Sequence, residues 1–273
     1  MLCLPVCAQA PADWIAASNK YTNLLLAVEM KHTPELGSNE GLSQFDTEVS
    51  QPTLADEDQE RQETEAVVTT FKSAVGQQKQ KEVGQDLQIM IRTAELQFRE
   101  LDFARAHKVD FLNASQTVFR GLRVLLDEQT PAERRPAAVV RIRKYAGMEP
   151  GYKPLADILK QRVMEQMAKP GVVYPARTEI ETELGRNPNY MEGIAALLQK
   201  YKLTGWQEPY NKLKAQLTEY DAWTKAMCCP RRAPISAFRP RNMRSIWKTT
   251  ASTFRPPRLL PWHTRCSANF RPK

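Results

Sequence analysis

The chain has 273 residues, 42% apolar and 26% charged, a balance that lets one or two domains bury a core. Its longest unbroken apolar run, Leu24-Leu25-Leu26-Ala27-Val28, falls far short of the ~20 residues of a membrane-spanning helix, which excludes an integral helical membrane protein. The net charge of +8 is unevenly placed: the last 46 residues hold 11 Lys and Arg and no Asp or Glu, leaving 28 basic against 31 acidic side chains in 1–227.

At the start, Ala8-Gln9-Ala10 before Pro11 has the small-x-small pattern of a signal-peptidase site. The segment lacks a basic stretch and a full apolar run, so 1–10 reads as the remnant of a signal peptide begun upstream. Residues 33–51, with Gly37, Ser38, Gly41 and then Pro52, read as a long loop. From 54 to 80 the chain is rich in Asp, Glu, Gln and Arg, with Val67, Val68, Phe71 and Val75 as sparse apolar positions, the pattern of a solvated outer helix. Leu87, Ile91, Ala94, Phe98 and Leu101 step by four and three, which puts them on one face of a helix over about 85–106.

Thr130-Pro131-Ala132-Glu133 has the hydroxyl, proline and glutamate of a capping box and predicts a helix start. Pro136 then requires either a short turn before a helix from about 136 or a kink, and Gly147 supplies the stop. Pro150-Gly151-Tyr152-Lys153-Pro154 and Lys169-Pro170-Gly171 are turns, and between them Leu155, Ile158, Leu159 and Val163 mark another helix. Asn187-Pro188 opens a helix to about Tyr201, and Trp206, Tyr210, Leu213, Leu217 and Tyr220 mark the last one. The expected fold is all-α, with about seven or eight helices over 11–227 and a disordered basic tail over 228–273.

Reacting groups are missing. Three of the five cysteines (Cys228, Cys229, Cys266) lie in the tail and none lies in 8–227, so no disulfide framework, Cys-based zinc site or cysteine nucleophile is expected in the body. His32, His107 and His263 are too far apart for an H-E-x-x-H zinc pair, and no G-x-S-x-G elbow, Walker loop or G-x-G-x-x-G occurs. Glu179, Glu181 and Glu183 alternate by two and so spread around a helix as solvated carboxylates. Arg134, Arg135, Arg141, Arg143 and Lys144 form one basic cluster, whose expected role is surface ion pairing with Asp127, Glu128, Glu133 and Glu149. His107 is expected at the surface. The residues by themselves describe a helical domain in which no catalytic, cofactor-binding or metal residue is assigned.

The run Thr117-Val118-Phe119-Arg120-Gly121-Leu122-Arg123-Val124-Leu125-Leu126-Asp127-Glu128-Gln129 continues through Pro131-Ala132-Glu133-Arg134-Arg135-Pro136-Ala137. Together with 143–155, from Arg143-Lys144-Tyr145-Ala146-Gly147 to Lys153-Pro154-Leu155, it resembles the bacterial domain-of-unknown-function 885 family. Asp13-Trp14 and Tyr220-Asp221-Ala222-Trp223 extend the likeness over nearly all of 11–227. Members of that family are exported, mostly helical, about twice this length and similar to zinc-dependent carboxypeptidases, with a zinc motif H-E-x-x-P-G-H in the C-terminal half. This sequence has no such motif. The resemblance therefore implies a non-catalytic N-terminal half that walls the substrate cleft in full-length relatives. Zinc, a peptide substrate and a periplasmic or extracellular location are implied for those relatives, and none of their metal or catalytic residues is carried onto this chain.

The likeness stops near Met227, where the composition breaks. A GC-rich coding sequence read out of frame loses hydrophobic periodicity and fills with Arg, Pro, Ser, Ala and Cys, as 228–273 does. Shifting synonymous codons by one frame restores acidic residues, removes the cysteines and yields a stretch similar to the family's continuation, so the tail reads as out-of-frame translation. The alternative is a helical binding module whose basic arm, with Phe238, Trp247, Phe254, Trp262 and Phe270 interleaved among Arg and Lys, contacts nucleic acid or anionic membrane. On the first reading no specific nucleic acid is expected, only salt-sensitive contact of the tail with polyanions.

Overall fold

The computed structural model describes residues 13–228. Residues 1–10, expected to be the remnant of a signal peptide, and the basic tail after Cys228 lie outside the described residues. Among the described residues ten α-helices form: α1 (Asp13–His32), α2 (Pro34–Asn39), α3 (Leu54–Val75), α4 (Lys81–His107), α5 (Ala114–Arg123), α6 (Ala137–Tyr145), α7 (Leu155–Met167), α8 (Arg177–Leu184), α9 (Asn187–Lys200) and α10 (Gln207–Cys228). Two 3-10 turns, Ser43–Phe45 and Ala132–Arg134, complete the set. Among the described residues no strand forms, one isolated bridge joining Lys108 to Val173, and no helix is long and apolar enough to cross a membrane. The fold is all-α, as the periodicity predicts.

Helices α1, α3 and α4 pack together around Phe71, Val83 and Leu87, all fully buried. Tyr21 of α1 meets the Phe71 ring edge-on at 5.7 Å, a geometry that matches ring edge to ring face. Lys72–Glu95 (2.7 Å) and Arg61–Asp102 clip α3 to an antiparallel α4. The solvated helix expected over 54–80 is thus half right, since Val68 and Phe71 drive an inner face into this core while the charged positions face out.

The larger core gathers Val118 and Leu122 of α5, Ile142 and Tyr145 of α6, Leu155 and Leu159 of α7, Ile194 and Leu198 of α9, and Leu213, Leu217 and Tyr220 of α10. Asn113 caps α5 by accepting the Gln116 N–H at 3.1 Å, and Gly147 ends the turn after α6 at φ +63°, with its α-carbon against Pro154. Of the two readings of Pro136, the short turn before a helix from about 136 is the one that forms, and the helix start at Thr130 is corrected. The Thr130 hydroxyl donates to the Val124 carbonyl at 2.7 Å and accepts from no helix N–H; 132–134 forms a 3-10 turn and α6 begins after Pro136.

The long loop expected over 33–51 is also corrected: it holds α2 and the first 3-10 turn and is strapped to α5 and α6. Glu35 Oε1 accepts from the Tyr145 hydroxyl at 2.6 Å and from the Ser50 N–H at 2.9 Å. Arg134 grips Asp46 through two hydrogen bonds of 2.7 and 2.6 Å, and Lys144 and Tyr152 both donate to Glu48, at 2.8 and 2.6 Å. Arg141 is fully buried and donates to the carbonyls of Gly121 and Phe45. Of the surface pairs expected for the basic cluster only Arg143–Glu149 forms; Glu128 pairs instead with Lys200, and Arg135 stacks on the Tyr201 ring at 4.1 Å. The physical reason is sequence distance: Arg134 and Asp46 are 88 positions apart, beyond any local spacing rule.

A Cβ on Gly121 would lie 2.3 Å from the Tyr145 hydroxyl. Gly121→Ala is expected to cost about 2 kcal/mol by pushing the ring off Glu35. Tyr145→Phe should cost about 1 kcal/mol for the lost hydrogen bond. Removing the hydroxyl makes room for the methyl, so the double variant should be more stable than the sum of the two losses by at least about 1 kcal/mol in urea unfolding.

Candidate functional site

The most chemically loaded part of the molecule lies where α1 ends and α3 begins. Thr53 caps α3 by accepting the Asp56 N–H at 3.0 Å, and the free N–H groups of that first turn favour the acidic residues that follow. Spacing of four and three then sets Asp56, Glu60 and Glu63 on one face, toward the end of α1. His32, the last residue of α1, comes to rest there with its side chain only 3% exposed.

The imidazole is held at both nitrogens. Nδ1 lies 2.8 Å from Asp56 Oδ1 and Nε2 lies 3.3 Å from Glu63 Oε2. Lys31 Nζ and Gln59 Nε2 also donate to Glu63; Lys31 first, then Gln59, hold that carboxyl down to about 2. One residue along α3 from Asp56, Glu57 ties three helices together. It accepts from Arg105 Nη2 of α4 at 2.7 Å and from Arg162 Nη2 of α7 at 3.1 Å, and Arg162 lies 3.7 Å from Asp110.

A cavity of about 250 Å³ opens beside these groups, polar where His32, Asp56, Glu60 and Arg162 line it and apolar along Leu155 and Leu159. Glu60 and Glu57 also border a second cavity, of about 440 Å³, between α1, α3 and α4. The Glu60 carboxyl makes no hydrogen bond among the described residues, its backbone carbonyl accepting from the Thr64 hydroxyl at 2.8 Å. Burial raises its carboxyl above the ordinary range, with Asp56, Glu29 and Glu57 pushing the same way against His32.

This arrangement limits the chemistry. Both ring nitrogens of His32 are taken up by carboxylates, from Asp56 and from Glu63, so the ring acts as a clamp between α1 and α3. The Ser50 hydroxyl is committed to Glu35 at 3.1 Å and is not an activated nucleophile. Glu60 is the free group, able to accept a hydrogen bond or a cationic group at the cavity wall. Among the described residues no three His, Cys, Asp or Glu side chains are grouped to hold a metal ion.

His107 is exposed, as expected, its ring 4.8 Å from that of Phe103, and His263 lies outside the described residues. Sequence reasoning assigned no site residue and missed the His32–Glu60 group. The signal was present in the Asp56, Glu60, Glu63 spacing, but nothing local to 54–80 pairs that face with the end of α1. The chain matches no protein-family model, no curated protein and no solved structure.

The raised carboxyl fixes the sign of a pH effect. The folded protein holds the Glu60 proton to higher pH than the unfolded chain does, so the stability that this gives is lost as pH rises through the folded value. Glu60→Gln is therefore expected to raise the thermal midpoint at pH 7. The gain should vanish below the unfolded carboxyl value of about 4.3, where both states hold the proton. Melting curves of both proteins between pH 4 and 8 check this.

Proposed function

We propose that this chain is the non-catalytic N-terminal half of an exported zinc-metallopeptidase-like protein, read out of frame after about Met227. The reading rests on the resemblance carried by 117–155. It is supported by where that block lies: Val118, Leu122, Ile142, Tyr145 and Leu155 are all buried in the larger core, and Gly121 and Gly147 occupy positions that exclude a side chain. These are the residues on which the helical half depends for its shape.

In this role the half supplies architecture. Many of its polar groups are engaged with one another, as in the Glu57–Arg105–Arg162 and His32–Asp56–Glu63 sets, and the zinc, the nucleophilic water and the general base belong to the half that would carry H-E-x-x-P-G-H. The chain as it stands binds no catalytic metal on this reading.

Sequencing the source DNA past the codon for Lys273 tests the proposal most cheaply. One inserted or deleted base near codon 227, opening a frame that reaches H-E-x-x-P-G-H, is the expected result; a confirmed frame with no such motif downstream would overturn it. On the protein, purified 1–273 should show no hydrolysis of a peptide library with or without added zinc, and zinc-stimulated turnover abolished by a chelator would contradict the reading.

A further inference from the structure

Helix α4 is apolar on two faces. Val83, Leu87 and Ala94 are buried against α1 and α3. On the other side Ile89, Leu96 and Phe103 recur every seven residues and stay 63%, 43% and 37% exposed. At about 100° per residue, seven residues fall about 20° short of two turns, so the three side chains form one stripe along the axis. Leu87 lies about 180° around from Leu96, so the stripe is centred away from the bundle, with Ile89 also bordering the cavity between α1, α3 and α4.

An exposed apolar line along a helix, even with one apolar position per heptad, is a surface on which another helix can lie. The charges beside the seam say which partner fits. Arg92 and Arg99 lie about 40° and 60° to one side of Leu96, and Glu100 about 40° to the other. None of the three makes an ion pair within 4.0 Å among the described residues, Arg99 acting on Glu95 of its own helix from farther away, whereas Glu95 and Asp102 are engaged directly by Lys72 and Arg61.

A second copy packed antiparallel brings like rims together, setting Arg92 beside Arg99 of the other copy, a repulsive contact. A second copy packed parallel, about a two-fold axis along α4, brings unlike rims together. Arg99 then meets Glu100 of the second copy about one residue's rise away, twice by symmetry, and each stripe residue meets its own equivalent. We propose that the outer face of α4 binds a second copy of this chain in parallel, through Ile89, Leu96 and Phe103 and reciprocal Arg99–Glu100 ion pairs. The inference does not rest on the functional reading above.

Sedimentation velocity of 1–273 under reducing conditions, over a range of concentrations, tests it. The wild type should reach a dimer, and Leu96→Glu, a change at an exposed position that should leave the melting curve in place at concentrations where the wild type is monomeric, should weaken association at least about tenfold. Arg99→Glu and Glu100→Arg should each weaken it about threefold, and the double exchange should restore it. A wild type that stays monomeric would overturn the proposal, as would a dimer indifferent to Leu96→Glu. Tighter association of Arg99→Glu alone would also overturn it, because only the antiparallel pair gains from that change.

Discussion

A guanidinium with no access to water constrains much of this fold. Arg141 is fully buried, and a buried charge is tolerated only where acceptors surround it. One acceptor comes from a broken helix end. The Leu125 N–H, which an unbroken helix would aim at Gly121, goes instead to the Leu122 carbonyl at 3.1 Å, so the Gly121 carbonyl is left for Arg141. The second, the Phe45 carbonyl at 3.0 Å, must be brought in from a segment far away in sequence. Burial pulls the Arg141 pKa down, while Tyr145, Glu35 and Asp46 act to keep its charge.

That requirement explains the order in 33–53. To deliver the Phe45 carbonyl, the chain closes a 3-10 turn, packs the Phe45 ring where a Gly37 side chain would be, and anchors its ends through Glu35, Asp46 and Glu48. Burial works to raise the Asp46 carboxyl, yet the hydrogen bonds of Arg134 and Ser38 hold it below its ordinary range, so the grip is charge-assisted. The strap leads directly into Thr53 and the first turn of α3, where the carboxylates that clamp His32 are carried. The candidate site therefore inherits its position from the Arg141 pocket.

The parts of the fold set by local period were legible in the sequence. Leu87 and Ala94 point inward at helical spacing, Asn187-Pro188 opens α9, and Gly147 stops the turn after α6 at a left-handed φ that glycine accommodates. What stayed hidden was decided by partners far along the chain. The basic cluster looked like a surface because its acids, Asp46 and Glu48, belong to what read as a loop. Thr130 looked like a cap because nothing local shows that α5 unwinds and turns the Val124 carbonyl toward its hydroxyl. His32 looked solitary because Asp56 and Glu63 reach it only after α3 folds back on α1.

The central claim is that Arg141 orders the strap, and amide hydrogen exchange on Arg141→Met tests it most directly. Methionine fills much of the same volume but cannot satisfy the Gly121 and Phe45 carbonyls. The variant should lose about 3 kcal/mol of stability and exchange amides in 37–49 at least about tenfold faster, with Arg141→Lys failing to rescue because one ammonium does not reproduce the fork. If Arg141→Met keeps wild-type protection in 37–49 and wild-type stability, the strap is held by its rim contacts alone and the account is wrong.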